Sequence, residues 1–294
     1  MNKVDASIIL PTWNRAQILE KTLPLFLAQD ADFPFEVVVA DDGSTDGTLQ
    51  ILKNFDSSML KTLALPHRGI SHARNRAVEA ADGCILVFAD DDCLVRPDFL
   101  RCHVQEHARR KNLALTGPIV NIEDIAAPLP TCRRFWQGWH RNPFPCCNCS
   151  LPKDIFMKAG GFWEAFTHYG WEDMEFWLRA KKAGAVSLFA PRAAVFHYKP
   201  KSQQKNLAMR ISQERQRGRM GALFYSRHPK ASVAFLVKKG LLLDIADILL
   251  NRAFNLEGLC CNIESGKLNP DILSGFMHRL LLLHSEISRA NGRL

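Results

Sequence analysis

Three consecutive carboxylates, Asp90-Asp91-Asp92, follow the apolar run from Cys84 to Ala89. Acids this close repel one another unless solvent or a cation screens them. A hard divalent ion bound by one or two carboxylates plus substrate phosphates resolves the conflict. Asp90 and Asp92 are the candidate metal ligands, with Asp92 preferred. A solvated acidic turn that caps the next helix explains the triplet as well. A second cluster, Asp41-Asp42-Gly43-Ser44-Thr45-Asp46-Gly47, has turn and helix-capping chemistry. Capping does not account for two carboxylates at a strand end, and Asp42 could accept from the N–H of a nucleotide base. Pro11-Thr12-Trp13-Asn14-Arg15 follows the first apolar run. In the run from Arg68 to Asn75, Arg68, Arg74 and a helix start near Ser71 could meet phosphate, whereas Arg76 reads as solvated. Glu172-Asp173, after Gly170-Trp171, suits a helix start by charge alone. A base there could instead take a proton from an acceptor hydroxyl. His197 ends an apolar strand and gains interest only beside the aspartates.

Two further groupings read as structural. His103, Glu106 and His107 form an H-x-x-E-H, the inverse of the common zinc-protease order. With no third ligand evident, a surface helix is expected. Cys146, Cys147 and Cys149 crowd together, but no second pair with zinc-ribbon spacing follows. Small buried thiols are expected, and the nine cysteines are expected to be reduced.

The elements that must position these residues follow from hydrophobic pattern. Strands are expected at 7–10 (stopped by Pro11), 35–40, 60–65 and 84–89, mostly apolar runs. Helices are expected at 15–29 (interrupted or kinked at Pro24), 49–55 and 70–81. Such alternation predicts an α/β fold, a mostly parallel sheet with helices on both faces. Ligands bind such sheets beyond the carboxyl ends of the strands, where both aspartate clusters fall. Further on, the pattern predicts a helix at 97–111, a strand at 113–120 and an irregular stretch at 121–150. Helices at 152–159 and 171–183 and one or two strands within 185–197 follow. In the second of these helices Met174, Trp177 and Leu178 are expected inside, with Glu175 and Arg179 paired outside. From about 203 the chain reads as helical.

Taken in order, these stations resemble family 2 glycosyltransferases with the GT-A fold over roughly residues 6–200. The matching pieces are PTWNR, VVVADDGSTDGT, the G-x-x-x-A-R-N piece at 69–75, FADDD, GGF, GWEDMEFWLR and His197. The resemblance implies an inverting transfer from a nucleotide-diphosphate sugar, a UDP-sugar first, to a glycan or lipid-linked acceptor. It implies a nucleotide-sugar site of Pro11, Asp42, Asp91 and Asn148, with Ser150 beside the last, to which Thr12, Asn14, Arg15, Arg74 and Trp171 are added as candidates by their positions in these motifs. It also implies Mn²⁺ or Mg²⁺ held by Asp90, Asp92 and His197, with Asp173 as catalytic base and Glu172 beside it. The implied organisation is a GT-A (nucleotide-diphospho-sugar transferase, Rossmann-like) domain over 1–200 and a helical extension over 201–294.

Charge bears on partners. Residues 199–230 contain nine Lys or Arg and one acid, Glu214, which equals the net charge of +8 for the whole chain. A solvated helix face and an anionic membrane surface, met through residues 199–250, both fit. The leucines of 233–250 suit either core packing, on the catalytic domain or a second subunit in an oligomer, or an interfacial helix. The first apolar run is too short for a signal peptide, so a cytoplasmic location is expected, at the inner face of the plasma membrane if the basic stretch meets lipid. A nucleic-acid-binding protein would share the basic stretch but would show a recognised motif. A sugar-phosphate nucleotidyltransferase would want a glycine-rich loop where Ser7 to Arg15 has no glycine. An inactive scaffold would not need Asp92, Asp173 and His197 intact.

Overall fold

The computed structural model describes residues 4–129, 138, 142–201 and 206–290. The chain folds as two units: Met1–Thr167 with Glu172–Lys199, and His168–Trp171 with Pro200–Leu294.

The first unit begins β1 (Ala6–Thr12), α1 (Ala16–Leu27), β2 (Phe35–Asp41), α2 (Thr48–Lys53), β3 (Leu60–Ala64), α3 (Ile70–Ala80) and β4 (Ile85–Ala89). β1 lies between β2 and β4, β3 flanks β2, and all four strands run parallel. Side chains alternate between two apolar layers, as the pleat requires. Ile9, Val38 and Phe88 enter one layer with Ala73 and Ala77 of α3. Ile8, Leu10, Val37 and Val39 enter the other with Leu19, Leu23 and Phe26 of α1. Because the strands are parallel, Thr12–Arg15, Asp41–Asp42 and Asp90–Asp92 all emerge at one edge.

The expectation that Pro11 ends a strand is corrected, and of the two readings of Pro24 the interruption does not occur. Pro11 does not stop β1, which runs on to Thr12. Asp5 O accepts from Ile85 N, so odd-numbered residues of β1 face β4, and pairing with β4 ends at Ile9. The N–H that Pro11 lacks would therefore have met no strand. Pro24 lies inside α1 without ending it, and Ala28 N still donates to Pro24 O.

The rest of the unit is more mixed than expected. β5 (Cys93–Val95) follows the acidic triplet directly, and α4 (Phe99–Arg109) comes next. The strand expected at 113–120 is two, β6 (Leu113–Thr116) and β7 (Ile119–Ile122), which break at Gly117-Pro118 and join different sheets. β8 (Asn148–Pro152) replaces the end of the stretch read as irregular and lies antiparallel between β4 and β6. Residues 130–137 and 139–141 of that stretch lie outside the described residues, as do 202–205. α5 (Lys153–Ala159), α6 (Glu172–Lys182), β9 (Val186–Phe189) and β10 (Val195–Tyr198) complete the unit. Among the described residues one sheet has the order β3-β2-β1-β4-β8-β6-β9 and a second β5-β10-β7.

The second unit contains α7 (Leu207–Arg227), α8 (Ala231–Leu236), α9 (Leu241–Phe254), α10 (Leu256–Glu264), a short 3₁₀ turn and α11 (Gly275–Ala290). α7 and α11 pack along each other, and Gly218 permits the backbone of α11 to approach closely. Leu207, Ile211, Leu256, Cys260, Ile263 and Leu281 form its core. His284 is buried between Asp247, 2.9 Å from Nδ1, and Glu257, 3.2 Å from Nε2. Of the leucines of α9, Leu250 packs against this core, whereas Leu241, Leu242 and Leu249 face outward.

Candidate functional site

The three adjacent acids have three different destinations. Asp90 pairs with Arg74 Nη2 at 2.9 Å. Asp91 is buried and accepts from Thr12 Oγ1 at 2.7 Å, while Thr22 Oγ1 holds its backbone carbonyl. Burial, and then the charge of Asp92, push the Asp91 carboxyl up to about 7. Asp92 Oδ1 lies 3.0 Å from His197 Nε2, and Oδ2 lies 3.7 Å from Arg15 Nη2. Burial opposes the charge of Asp92, but His197, Arg15 and Lys199 outweigh it and hold the carboxyl below its usual range.

Strand pairing delivers His197 to this place. β5 continues from Asp92 and pairs antiparallel with β10, with Cys93 opposite His197. Tyr198 N donates to Asp92 O at 2.9 Å, which fixes the two chains at this point. The imidazole is near Asp92 Oδ1 but not aligned as a donor, so this buried oxygen has no hydrogen-bond donor among the described residues. Two donors about 2.1 Å from one octahedral cation, at right angles, are about 3 Å apart. An unsatisfied carboxylate oxygen and an imidazole nitrogen at that separation therefore fit a divalent metal. Asp90, expected to join them, is directed to Arg74. No cluster of three or more metal-ligating side chains occurs among the described residues.

Arg74 is buried and bridges two parts of the site. Besides Asp90 it reaches Glu172 Oε1 at 3.2 Å, which links the end of β4 to the start of α6. Burial opposes its charge, but the carboxylates of Asp90 and Glu172 hold the guanidinium well above its usual range. The neighbouring Asn75 acts locally. Its amide donates to Phe162 O at 2.9 Å and accepts from Phe162 N at 2.8 Å, so it pins the Gly160-Gly161-Phe162 turn. Arg76 is half-exposed and pairs with Glu79 and Glu164, as expected of a solvated cation.

Asp173 lies in the first turn of α6. Its carboxylate accepts from Met174 N at 2.7 Å and from Asn142 Nδ2. Asn142 turns its own oxygen to Phe144 N, which leaves its NH₂ for Asp173. Burial, and then the charge of Glu172, push the Asp173 carboxyl up to about 7, against the pull of these hydrogen bonds and Arg74. A carboxylate so placed is basic enough to take a hydroxyl proton near neutral pH. Within α6 the expected inward stripe is shifted: Phe176, Trp177 and Ala180 are buried, and Met174 and Leu178 are not. The Glu175–Arg179 pair forms but is enclosed, because Arg179 also donates to Ala159 O and Gly161 O at the end of α5.

Other expected site residues have mainly structural tasks. Asn14, at positive φ, accepts from Thr45 N and Asp46 N and braces the turn after β2. Asp42 accepts from Arg68 N at 2.9 Å and Gly69 N at 2.8 Å, so both carboxylate oxygens hold the loop before α3. Asn148 is fully enclosed. It donates to Pro118 O and Ala193 O, and His103 Nε2 lies 3.1 Å from its oxygen, so its amide has nothing left for a sugar. Trp171 belongs to the second unit. Its indole donates to Arg217 O at 3.0 Å and stacks on Phe224. Pro11 is buried within β1.

α4 is not the surface helix expected. His103 Nδ1 and His107 Nε2 each lie 2.8 Å from Ser150 Oγ. Burial lowers His103 to about 3 and His107 to about 4, so both are neutral braces of β8. Cys146 and Cys149 are buried and Cys147 is half-buried, with burial raising the first two thiols. Sequence reasoning missed Asn142 and Trp13. Asn142 had no signal beyond its place before a proline. Trp13 is half-exposed and stacks on His67 with ring centroids 4.4 Å apart, a flat step at the sheet edge.

Comparison with known proteins agrees with this geometry. The profile described as Glycosyl transferase family 2 matches residues 7–166, more than half of the chain. Chondroitin synthase of Escherichia coli is 25% identical over 260 residues, which covers 71% of this chain and 38% of that protein. Validoxylamine A glucosyltransferase of Streptomyces hygroscopicus subsp. jinggangensis is 28% identical over 217 residues, which covers 60% of this chain and 51% of that protein. The chain thus spans about half or less of these relatives' lengths. The mannosyltransferase PcManGT of Pyrobaculum calidifontis, solved with GDP-Man and Mn²⁺, superposes with a TM-score of 0.58 at 20% identity. That match covers 95% of this chain and 85% of the other. S. aureus TarS 1–349 with UDP-GlcNAc gives 0.52 at 21% identity, over 72% of this chain and 65% of the other. At these identities the structures speak for the fold alone, and the fold is GT-A. By its sequence match, the chain belongs to glycosyl transferase family 2.

Proposed function

We propose that the chain is an inverting, metal-dependent transferase that moves a sugar from a nucleotide-diphosphate sugar to an acceptor hydroxyl in polysaccharide or glycolipid synthesis. The observation that carries this reading is the separation of two kinds of carboxylate. Asp92 is held ionised beside His197, whereas Asp173 is held near neutrality and is basic enough for proton transfer.

Asp92 and His197 would hold Mn²⁺ or Mg²⁺, which when bound supplies charge neutralisation for the departing diphosphate. Arg15, beside Asp92, adds positive charge on the same side. Trp13 and His67 offer a planar step on which a base can stack. Asp173 takes the proton from the acceptor hydroxyl as the oxygen attacks the anomeric carbon. The bond from that carbon to the diphosphate oxygen breaks on the opposite face, so one displacement inverts the centre. Asn142 and Met174 N orient Asp173 for this step. Arg74 fixes Glu172, the neighbour on the acceptor side.

The neighbours solved with UDP-GlcNAc and with GDP-Man support a nucleotide-sugar donor, and UDP-sugars are the first to test. The relatives named for chondroitin and validoxylamine support a glycan or other hydroxyl acceptor. The test is a panel of nucleotide sugars, with and without Mn²⁺, scored for nucleotide diphosphate release. Metal-dependent release from one donor is expected. Release from none of them, or equal release after removal of divalent ions, overturns the reading.

A further inference from the structure

α9 is oriented opposite to a helix on a globular core. Its buried side chain is Asp247, which faces His284 at 2.9 Å. Most of its apolar residues face outward: Leu241 is 74% exposed, Leu242 82% and Leu249 59%, with Ile245 and Ile248 also exposed, while Leu250 packs inward. Positions 241, 245 and 248 follow the i, i+4, i+7 pattern, and 242 and 249 widen the same stripe. Just before α9, Phe235 is 85% exposed at the end of α8. Large apolar side chains exposed together in this way on a globular fold mark an interaction site.

Cations border and interrupt the stripe. From 227 to 254 the chain has Arg227, Lys230, Lys238, Lys239 and Arg252 against two acids, Asp244 and Asp247. Of these groups Asp247 is turned inward to His284, and Lys238 is paired with the buried Glu286. A second copy of this face would bring cations against cations. An anionic lipid surface instead complements them, while the leucines enter the acyl boundary. No described helix is long and apolar enough to cross a membrane, so contact would be along the surface.

We propose that the second unit docks on an anionic bilayer through the outward stripe of α9 and Phe235, with Lys230, Lys239 and Arg252 at the headgroups. Such docking keeps the enzyme where lipid-linked hydroxyls reside, but it does not depend on the transferase reading.

The test is co-sedimentation of the full chain with phosphatidylcholine vesicles, with and without phosphatidylglycerol. The unmodified chain is expected to pellet with the anionic vesicles and to be released by salt. Leu242→Glu with Leu249→Glu should weaken binding by about tenfold or more, since each leucine loses its burial. Lys230→Glu with Lys239→Glu should weaken it by about fivefold or more per residue. All four positions lie outside the candidate site, so transfer to a soluble acceptor should be unchanged. A chain that stays in solution with both vesicles, or that pellets equally well after the leucine changes, overturns the proposal. Light scattering that shows dimers lost in the leucine variants, with no vesicle binding, would assign the face to a second copy instead.

Discussion

At the scale of single residues, the carboxyl of Asp173 sets the expected pH dependence. Its ionised form is the base, and the carboxyl is pushed up to about 7. Acceptor kcat/KM at saturating donor should therefore fall about tenfold per pH unit below about 7 and level off above it. A profile flat down to about pH 5 would remove Asp173 from the role. The same shift has a stability consequence. Folding favours the neutral acid, so the stability it contributes is present below the ordinary carboxylate range and is lost as pH rises through about 7. Asp173→Asn should therefore lower transfer by about 10²–10⁴-fold. Its Tm advantage over the unmodified chain should widen from about pH 5 to about pH 8, as read by thermal melts. Arg74→Ala would leave Asp90 and Glu172 without their shared cation and should destabilise by about 3–5 kcal/mol in urea titrations. The acidic triplet and the Glu172-Asp173 pair were legible in sequence as chemistry. Their partners were not: the choice of Arg74, Thr12 or His197 by adjacent acids is made by chain 16 to 105 residues away. Asn148 misled for the same reason, since its amide is consumed by carbonyls at Pro118 and Ala193.

At the scale of elements, turns aim the site more than strands do. Gly161 has φ of 65°, and a Cβ there would stand 2.9 Å from Asn75 Oδ1. Gly161→Ala should destabilise by about 1–3 kcal/mol and displace the Asn75–Phe162 clasp. A loss below about 0.5 kcal/mol in urea titrations would show that the clasp is dispensable. The parallel half of the sheet was readable because β1, β2 and β4 are apolar on both faces. β8 was unreadable because Asn, Ser and Pro are weak strand formers, and it is held by neighbours on both sides instead. β5 is three residues long and too short for any periodicity. Yet β5 and its pairing with β10 bring His197 to Asp92. α9 had a legible stripe, but which way the stripe faced depended on the burial of Asp247 with His284.

At the scale of the whole molecule, the charge is unevenly distributed. The stretch 199–230 alone equals the net +8 of the chain, and the remainder is balanced. Exposed cations meeting a charged surface are screened by salt, whereas enclosed contacts such as Arg74 with Asp90 are screened much less. Raising salt should strip the chain from anionic vesicles while transfer to a soluble acceptor changes by no more than about twofold. Parallel loss of both would mean that the basic stretch serves the reaction itself. The central claim is that Asp92 and His197 hold donor through a cation while Asp173 acts only on the acceptor. Calorimetric titration of the donor into the chain with Mn²⁺ tests it most directly. The account predicts that the unmodified chain and Asp173→Asn bind donor alike. Asp92→Asn and His197→Ala should each bind at least about tenfold more weakly, and binding should collapse without the metal. Equal donor affinity across all four proteins, with or without Mn²⁺, would contradict it.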